Sequence, residues 1–143
     1  MSTITFLGNF RVPFSSENHH AKSLEALGHR VVRLQEGETT AGKVYRAAVA
    51  SDLFVWVHTH GWITRGFDRI DILKELHNIG IPTMTYHLDL WFGLKRQHDL
   101  DNDPFYKDIG HFFATDKLMA DWFNENTAVR GHFLPAGVFG EEC

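Results

Sequence analysis

The chain is poor in the features that mark several classes of protein. Its one cysteine in 143 residues is Cys143, the last residue, so no disulfide can form within the chain and a reducing compartment is expected. No stretch approaches the roughly 20 apolar residues of a membrane-spanning helix. The first residues also lack the basic and apolar regions of a signal peptide. The sequence therefore predicts a cytoplasmic protein with no membrane partner.

Basic charge and familiar motifs are scarce as well. Fourteen lysines and arginines stand against 18 aspartates and glutamates, a net charge of -4, which does not support binding to nucleic acid. The chain has no G-x-x-x-x-G-K-[ST] or G-x-G-x-x-G pattern for phosphates and no G-x-S-x-G for a serine nucleophile. A helix start after the first strand can still hold an anion through backbone N–H groups. No cofactor is predicted.

What the sequence does contain is a regular alternation of short apolar runs and helical segments. The length fits one domain over residues 1–143. The predicted strands are Thr3–Phe10, His29–Leu34, Asp52–Val57, Ile81–Tyr86, His111–Ala114 and Gly131–Pro135. The predicted helices are Ser16–Leu27, Thr40–Ala50, Phe67–Asn78 and Asp116–Asn124, and the segment from His87 to Asp108 is polar and irregular.

This alternation predicts the fold class. Strands that are near-continuous apolar runs, joined by helices, are typical of parallel sheets covered on both faces. We predict an α/β fold, an open doubly wound (Rossmann-like) parallel sheet of about six strands with helices on both faces. The strand order considered is 3-2-1-4-5-6.

Polar and aromatic residues follow the ends of the predicted strands. In an open α/β sheet, ligands bind outside the carboxyl ends of the strands, near the point where the strand order reverses. We therefore predict a site at that edge. Its candidate residues are Ser15, Ser16, Glu17, Asn18, His19, His58, His60, Trp62, His87, Asp89, Trp91 and Asp116.

A metal centre is an alternative use of some of these residues. His58 and His60 are two residues apart, as are His87 and Asp89, so in an extended segment each pair faces one side. Imidazole and carboxylate ligands suit zinc or iron. In the order 3-2-1-4-5-6, however, the third and fourth strands are about 14 Å apart. No metal is predicted, and a metal-dependent enzyme remains the less favoured alternative.

Five motifs, taken in order, carry a family resemblance over nearly the whole chain. They are SSENHHAKSLEALGHRVVRL, SDLFVWVHTHG, GIPTMTYHLD, HFFATDKLMADWF and HFLPAGVF. Together they resemble the N-terminal domain of a GT-B fold glycosyltransferase, in the broad group that includes the group 1 enzymes and CgeB-like proteins. LGHRV and LPAGVF are the most specific of these motifs.

The resemblance implies roles for the candidate residues. His87 takes the place of a histidine that approaches the donor sugar, and Asp89 orients it. Glu17 or His19 receives the proton of the acceptor hydroxyl. The binding residues implied are the loop residues Ser15, Ser16 and Asn18 beside acceptor and donor phosphates, His58 and His60 on the acceptor side, and Trp62 and Trp91 against sugar faces.

The resemblance also implies partners. A nucleotide sugar and an unknown acceptor are expected, with a homodimer as a further possibility. The donor-binding second domain of that family is expected to be absent, so this half alone is expected to be inactive. The alternative function is a non-catalytic domain that binds a ligand or a protein.

Overall fold

The computed structural model describes residues 1–57, 71–88 and 104–135. These residues form six strands and five helices. The strands are β1 (Thr3–Gly8), β2 (Arg30–Gln35), β3 (Leu53–Trp56), β4 (Thr83–His87), β5 (His111–Ala114) and β6 (Arg130–Phe133). The helices are α1 (Ser16–Ala26), α2 (Ala41–Val49), α3 (Ile72–Asn78), α4 (Phe105–Asp108) and α5 (Lys117–Asn126). No helix among these residues is long and apolar enough to cross a membrane.

All six strands are parallel and form one sheet in the order β2-β1-β3-β4-β5-β6. The predicted α/β parallel sheet is confirmed, whereas the order 3-2-1-4-5-6 is wrong because β3 lies between β1 and β4. Both orders allow right-handed crossovers, so the hydrophobic pattern does not separate them. In the observed order α2 packs across β1, where Thr5 donates a hydrogen bond to the Ala47 carbonyl of α2 (3.1 Å).

The ends of the helices carry capping residues, although the predicted start of α3 is wrong: Asp71, which the predicted helix Phe67–Asn78 includes, is the N-cap of α3, and residues 67–70 lie outside the described residues. The side chains of Ser15, Thr40, Asp71 and Asp116 each accept a backbone N–H at a helix start. Gly28 and Gly80 adopt φ of 94° and 82° just after α1 and α3, where a left-handed residue ends a helix. The short helix α4, by contrast, lies in the segment that was predicted to be irregular. Four residues are too few to show helical periodicity.

The helices are divided unequally between the two faces of the sheet. The side packed against α2 to α5, here called the closed face, contains fully buried Phe54, Phe112 and Phe123. The side packed against α1, here called the open face, contains Ile4 and Phe6 in a separate core. Right-handed crossovers explain the division, because only the step from β1 to β2 runs in the opposite direction along the sheet. The predicted coverage of both faces is confirmed.

Candidate functional site

The reversal of strand order lies between β1 and β3. The next described helix after β1 is α1, on the open face, whereas the next described helix after β3 is α3, on the closed face. The carboxyl ends of the two strands therefore border the crevice where ligands bind in sheets of this kind. Gly8 ends β1, and α1 begins eight residues later.

Glu17, in the first turn of α1, is buried against the end of β1. It is only 6% exposed, and its Oε1 accepts the N–H of Asn9 at 3.2 Å. The Ser16 hydroxyl donates to its Oε2 at 3.0 Å. A Cβ atom added to Gly8 would lie 2.7 Å from the Glu17 Cγ. The glycine at the end of β1 therefore makes room for this carboxyl group.

Glu17 keeps capacity to bind a ligand. A carboxylate has about four lone-pair positions, and two donors occupy the Glu17 oxygens. In the part of the chain that the structure describes, Glu17 forms no ion pair with a lysine or arginine. The partial positive charge at the start of α1 stabilises the carboxylate instead. The group can accept a hydrogen bond from a hydroxyl, or its proton.

Two rings lie next to this carboxyl group on the open face. The His20 ring meets the Tyr86 ring edge to face, with centroids 4.3 Å apart. Burial lowers the pKa of His20, Glu17 raises it less strongly, and His19 adds to the lowering. Burial, with Glu17 second, raises the pKa of the Tyr86 hydroxyl far above its usual value, against a smaller opposite effect of the Ser16 hydroxyl. Near pH 7 we therefore expect a neutral imidazole beside a neutral phenol.

A cavity of about 320 Å³ opens beside these rings, between α1 and the open face of the sheet. Most of its wall is apolar, and its polar side chains are His20, Ser23 and Tyr86. The apolar lining residues are Phe6, Leu24, Leu53, Val55, Met84, Leu134 and Pro135. Its volume lies at the lower end of the range for small-molecule sites, roughly 300–1,000 Å³.

Two of the predicted binding residues have structural partners. The Ser15 hydroxyl caps α1 by accepting the N–H of Asn18 at 3.2 Å. The Asn18 amide donates to the carbonyls of Phe10 (3.1 Å) and Val12 (2.8 Å). These bonds hold the loop between β1 and α1, so both residues shape the site. Ser16 contacts the site directly through Glu17.

The structure does not bring all the candidates together. His19 is buried in α1, near Glu17 along the chain. His87 ends β4, but its ring stacks on Phe112 of the closed face, with centroids 5.0 Å apart. Asp116 caps α5 through a 2.9 Å bond from the Leu118 N–H. The candidates thus divide between the two faces, with Glu17 on the open one.

The remaining candidates lie outside the described residues: His58, His60, Trp62, Asp89 and Trp91. The argument against a metal used the wrong strand order, since β3 and β4 are neighbours and the step between adjacent strands is about 4.8 Å. Within residues 1–57, 71–88 and 104–135, no group of three or more potential metal ligands occurs.

The candidate residues of the sequence analysis omit three residues of this region, Gly8, His20 and Tyr86. Tyr86 reads as an ordinary apolar strand residue, since a buried tyrosine and a functional one look alike in a run such as MTYH. A glycine at the end of an apolar strand signals close approach by another group, and that signal was available for Gly8.

Comparisons of the chain with protein-family models, with curated proteins and with solved structures find no match.

Proposed function

We propose that this chain is the acceptor-side domain of a glycosyltransferase, which moves a sugar from a nucleotide sugar to an acceptor hydroxyl. The observation that carries the proposal is the buried Glu17 carboxylate at the carboxyl end of β1, with free acceptor capacity and no ion pair in the described residues. The motif resemblance supplies the reaction class, and the position of the site at the reversal of strand order supports it.

In this reaction Glu17 acts as the general base. The acceptor oxygen forms a bond to the anomeric carbon while the bond from that carbon to the donor phosphate breaks, and the nucleoside diphosphate leaves with the electron pair. The proton of the acceptor hydroxyl passes to Glu17. A base positioned in this way contributes about 10²- to 10⁴-fold in rate. The bonds from Asn9 and Ser16 orient the carboxylate for that step.

His87, which the resemblance places beside the donor sugar, has a different setting. It is 5% exposed, and on the closed face its ring stacks on Phe112 and meets Tyr106 at a tilt of 47°. We therefore assign His87 to support of the strand end. Of the two residues implied for the acceptor proton, we choose Glu17 over His19, because the Glu17 carboxylate lies against the carboxyl end of β1. Donor contacts are left to residues beyond those described and to a second domain, which the proposal requires for turnover.

The test is transfer by the complete gene product against a panel of nucleotide sugars and acceptors. Glu17→Gln keeps the size of the side chain and removes the base, so we expect kcat/KM to fall at least 100-fold. Glu75→Gln is the matched control, because Glu75 is also in the first turn of a helix but is exposed. No transfer from any nucleotide sugar overturns the proposal, and equal rates for both variants overturn the role of Glu17.

A non-catalytic binding domain is the second candidate. The cavity on the open face favours it, since such a cavity can hold a ligand without any reaction. Binding of a small molecule by a complete gene product that transfers no sugar would decide for this candidate.

A further inference from the structure

We infer that the cavity on the open face binds a neutral, largely apolar molecule that carries one hydroxyl group, and that this molecule is the class of acceptor used. The first part stands on the cavity itself. The second part rests on the proposed function, because it makes the bound hydroxyl the one that reaches Glu17.

The apolar lining determines the body of the ligand. Leu53 and Met84 lie on neighbouring strands and are only half-buried, and Leu24 of α1 lines the same cavity. Water in contact with these side chains is released when an apolar molecule replaces it, which favours binding by roughly 25 cal/mol per Å² of apolar surface covered. An alkyl or aryl group therefore fits this wall.

The absence of charge determines that the ligand is neutral. No lining side chain among the described residues is an aspartate, glutamate, lysine or arginine. The pKa of His20 is lowered by burial, so its imidazole is uncharged near pH 7. A charged group placed here loses its water without gaining an ion pair, which is costly. Anions are further disfavoured by the nearby Glu17 carboxylate.

Tyr86 determines where the hydroxyl group of the ligand binds. Tyr86 is 3% exposed, and its hydroxyl lies close enough to the Ser16 hydroxyl for that group to lower its pKa slightly, but the two form no hydrogen bond of normal distance and angle within the described part of the chain. A buried hydroxyl in that state gains from a ligand that donates to it or accepts from it. The Tyr86 ring lines the cavity and contacts the His20 ring of α1, and Glu17 precedes His20 by three residues in that helix, so the cavity adjoins the helical turn that carries the carboxylate.

This position of the ligand explains why the cavity and the Glu17 carboxylate belong to one site. We expect a molecule with its apolar body against Leu53 and Met84 and its hydroxyl at Tyr86 to present that hydroxyl to the start of α1, because His20, three residues after Glu17, lines the same cavity. Glu17 lies in the first turn of α1, at the carboxyl edge of the sheet. The cavity selects the acceptor, and the carboxylate takes its proton.

Binding is tested with 4-butylphenol on the 143-residue chain, by isothermal titration calorimetry. We expect a Kd on the order of 0.1–1 mM, from the usual energy per ligand atom. Ser23→Phe places a ring in the cavity and should weaken binding at least tenfold. Leu53→Trp does the same from the sheet. Leu27→Trp is the control, because Leu27 is exposed at the end of α1. Circular dichroism verifies that each variant is folded.

The chemistry of the ligand is tested by pairs of probes. Tyr86→Phe should weaken 4-butylphenol about three- to tenfold, the value of one hydrogen bond, and leave butylbenzene unchanged. The anion 4-butylbenzoate should bind at least tenfold more weakly than the phenol. No binding of 4-butylphenol, or binding that neither filling variant weakens, overturns the site. Sedimentation that shows a dimer, with 4-butylphenol unable to bind, assigns the face to a second copy instead.

The acceptor class is tested separately, in the complete gene product. Ser23→Phe should lower kcat/KM for an alkylphenol acceptor at least tenfold, chiefly through KM. Transfer only to polar acceptors, unaffected by Ser23→Phe, refutes the acceptor class but leaves the glycosyltransferase proposal intact. If the chain binds 4-butylphenol, Ser23→Phe abolishes that binding, and the complete gene product transfers no sugar, then the glycosyltransferase proposal is refuted and the binding site stands.

Discussion

The two faces of the sheet differ in how fully helices cover them. Of the helices in the described ranges, four pack on the closed face, and side chains such as Phe112 and Phe123 are fully buried there. On the open face, α1 is the one helix among the described residues, and Phe113 and Met84 stay half-buried. The difference follows from strand order, because one crossover runs against the other four. The closed face stabilises the fold, and the open face leaves room for a ligand.

The difference between the two faces is tested most strongly by substituting two adjacent residues of β5. Phe112 is 0% exposed and stacks on Phe123 with centroids 4.3 Å apart, so Phe112→Ala should cost about 3–5 kcal/mol. Phe113 faces the open side and stacks on His132, so Phe113→Ala should cost only about 1 kcal/mol. Urea unfolding measures both. Equal losses would mean that the open face is as well covered as the closed one.

Two glycines offer a second contrast between the faces. A Cβ on Gly131 would lie 2.2 Å from the Ala120 carbonyl oxygen of α5, and a helix backbone cannot move aside. Gly131→Ala should therefore cost about 3 kcal/mol or more, at the upper end of overpacking effects. At Gly8 the obstacle is the Glu17 side chain, which can shift, so Gly8→Ala should cost about 1 kcal/mol.

A double-mutant cycle tests whether the Glu17 side chain causes the loss of stability in Gly8→Ala. In a Glu17→Ala background the clashing Cγ is gone, so Gly8→Ala should cost little further stability. In the otherwise native chain Gly8→Ala should also lower transfer, because it displaces the carboxyl group. Additive losses in the cycle argue that Gly8 matters for another reason.

The comparison also shows how much a sequence can reveal. Apolar runs such as the one from Leu53 to Val57 predicted strands, and helical patterns predicted the helices Ser16–Leu27 and Thr40–Ala50 to within one residue at each end, because both signals are local. Strand order was not predictable in the same way. It depends on whether α2 crosses β1, and the contacts that accompany this crossing, such as the bond from Thr5 to Ala47, join residues 42 positions apart.

The candidate site shows the same limit. Glu17 was predicted from its place after a strand and lies buried there. Ser15 and Asp116 were predicted by the same reasoning but cap helices. Serine and aspartate after a strand suit a helix start as well as a ligand, so their position alone cannot distinguish the two. The partner of each side chain depends on the three-dimensional structure around it, which the neighbouring sequence does not specify.

The two caps give a third, smaller test. Ser15→Ala and Asp116→Ala each remove an acceptor for a helix N–H, and each should cost about 1 kcal/mol in urea unfolding. Only Ser15→Ala should also lower transfer, because Ser15 holds the first turn that carries Glu17. Asp116→Asn retains a cap and should behave as the native chain. Loss of transfer in Asp116→Asn shows instead that this carboxylate contacts substrate.

The smallest expected effect is a pH dependence that belongs to the open face. Burial lowers the pKa of His20, and also that of His111, where His132 and Arg130 add to the lowering. The unfolded chain, with histidine pKa near 6.5, then binds more protons than the folded chain. Stability should therefore be full above about pH 7.5 and decrease as the pH falls through 6.5 towards the folded pKa values.

The histidine variants separate this effect from general acid destabilisation. One proton gives at most about 1.4 kcal/mol per pH unit, and His20→Gln should remove part of the slope between pH 7.5 and 5.5. His77→Gln, at an exposed position in α3, should leave the slope unchanged. Occupation of the cavity by 4-butylphenol buries His20 further, so the ligand should steepen the slope in the native chain and not in His20→Gln. An unchanged slope in His20→Gln would show that the imidazole is solvated, and that the cavity beside it is wetter than its lining implies.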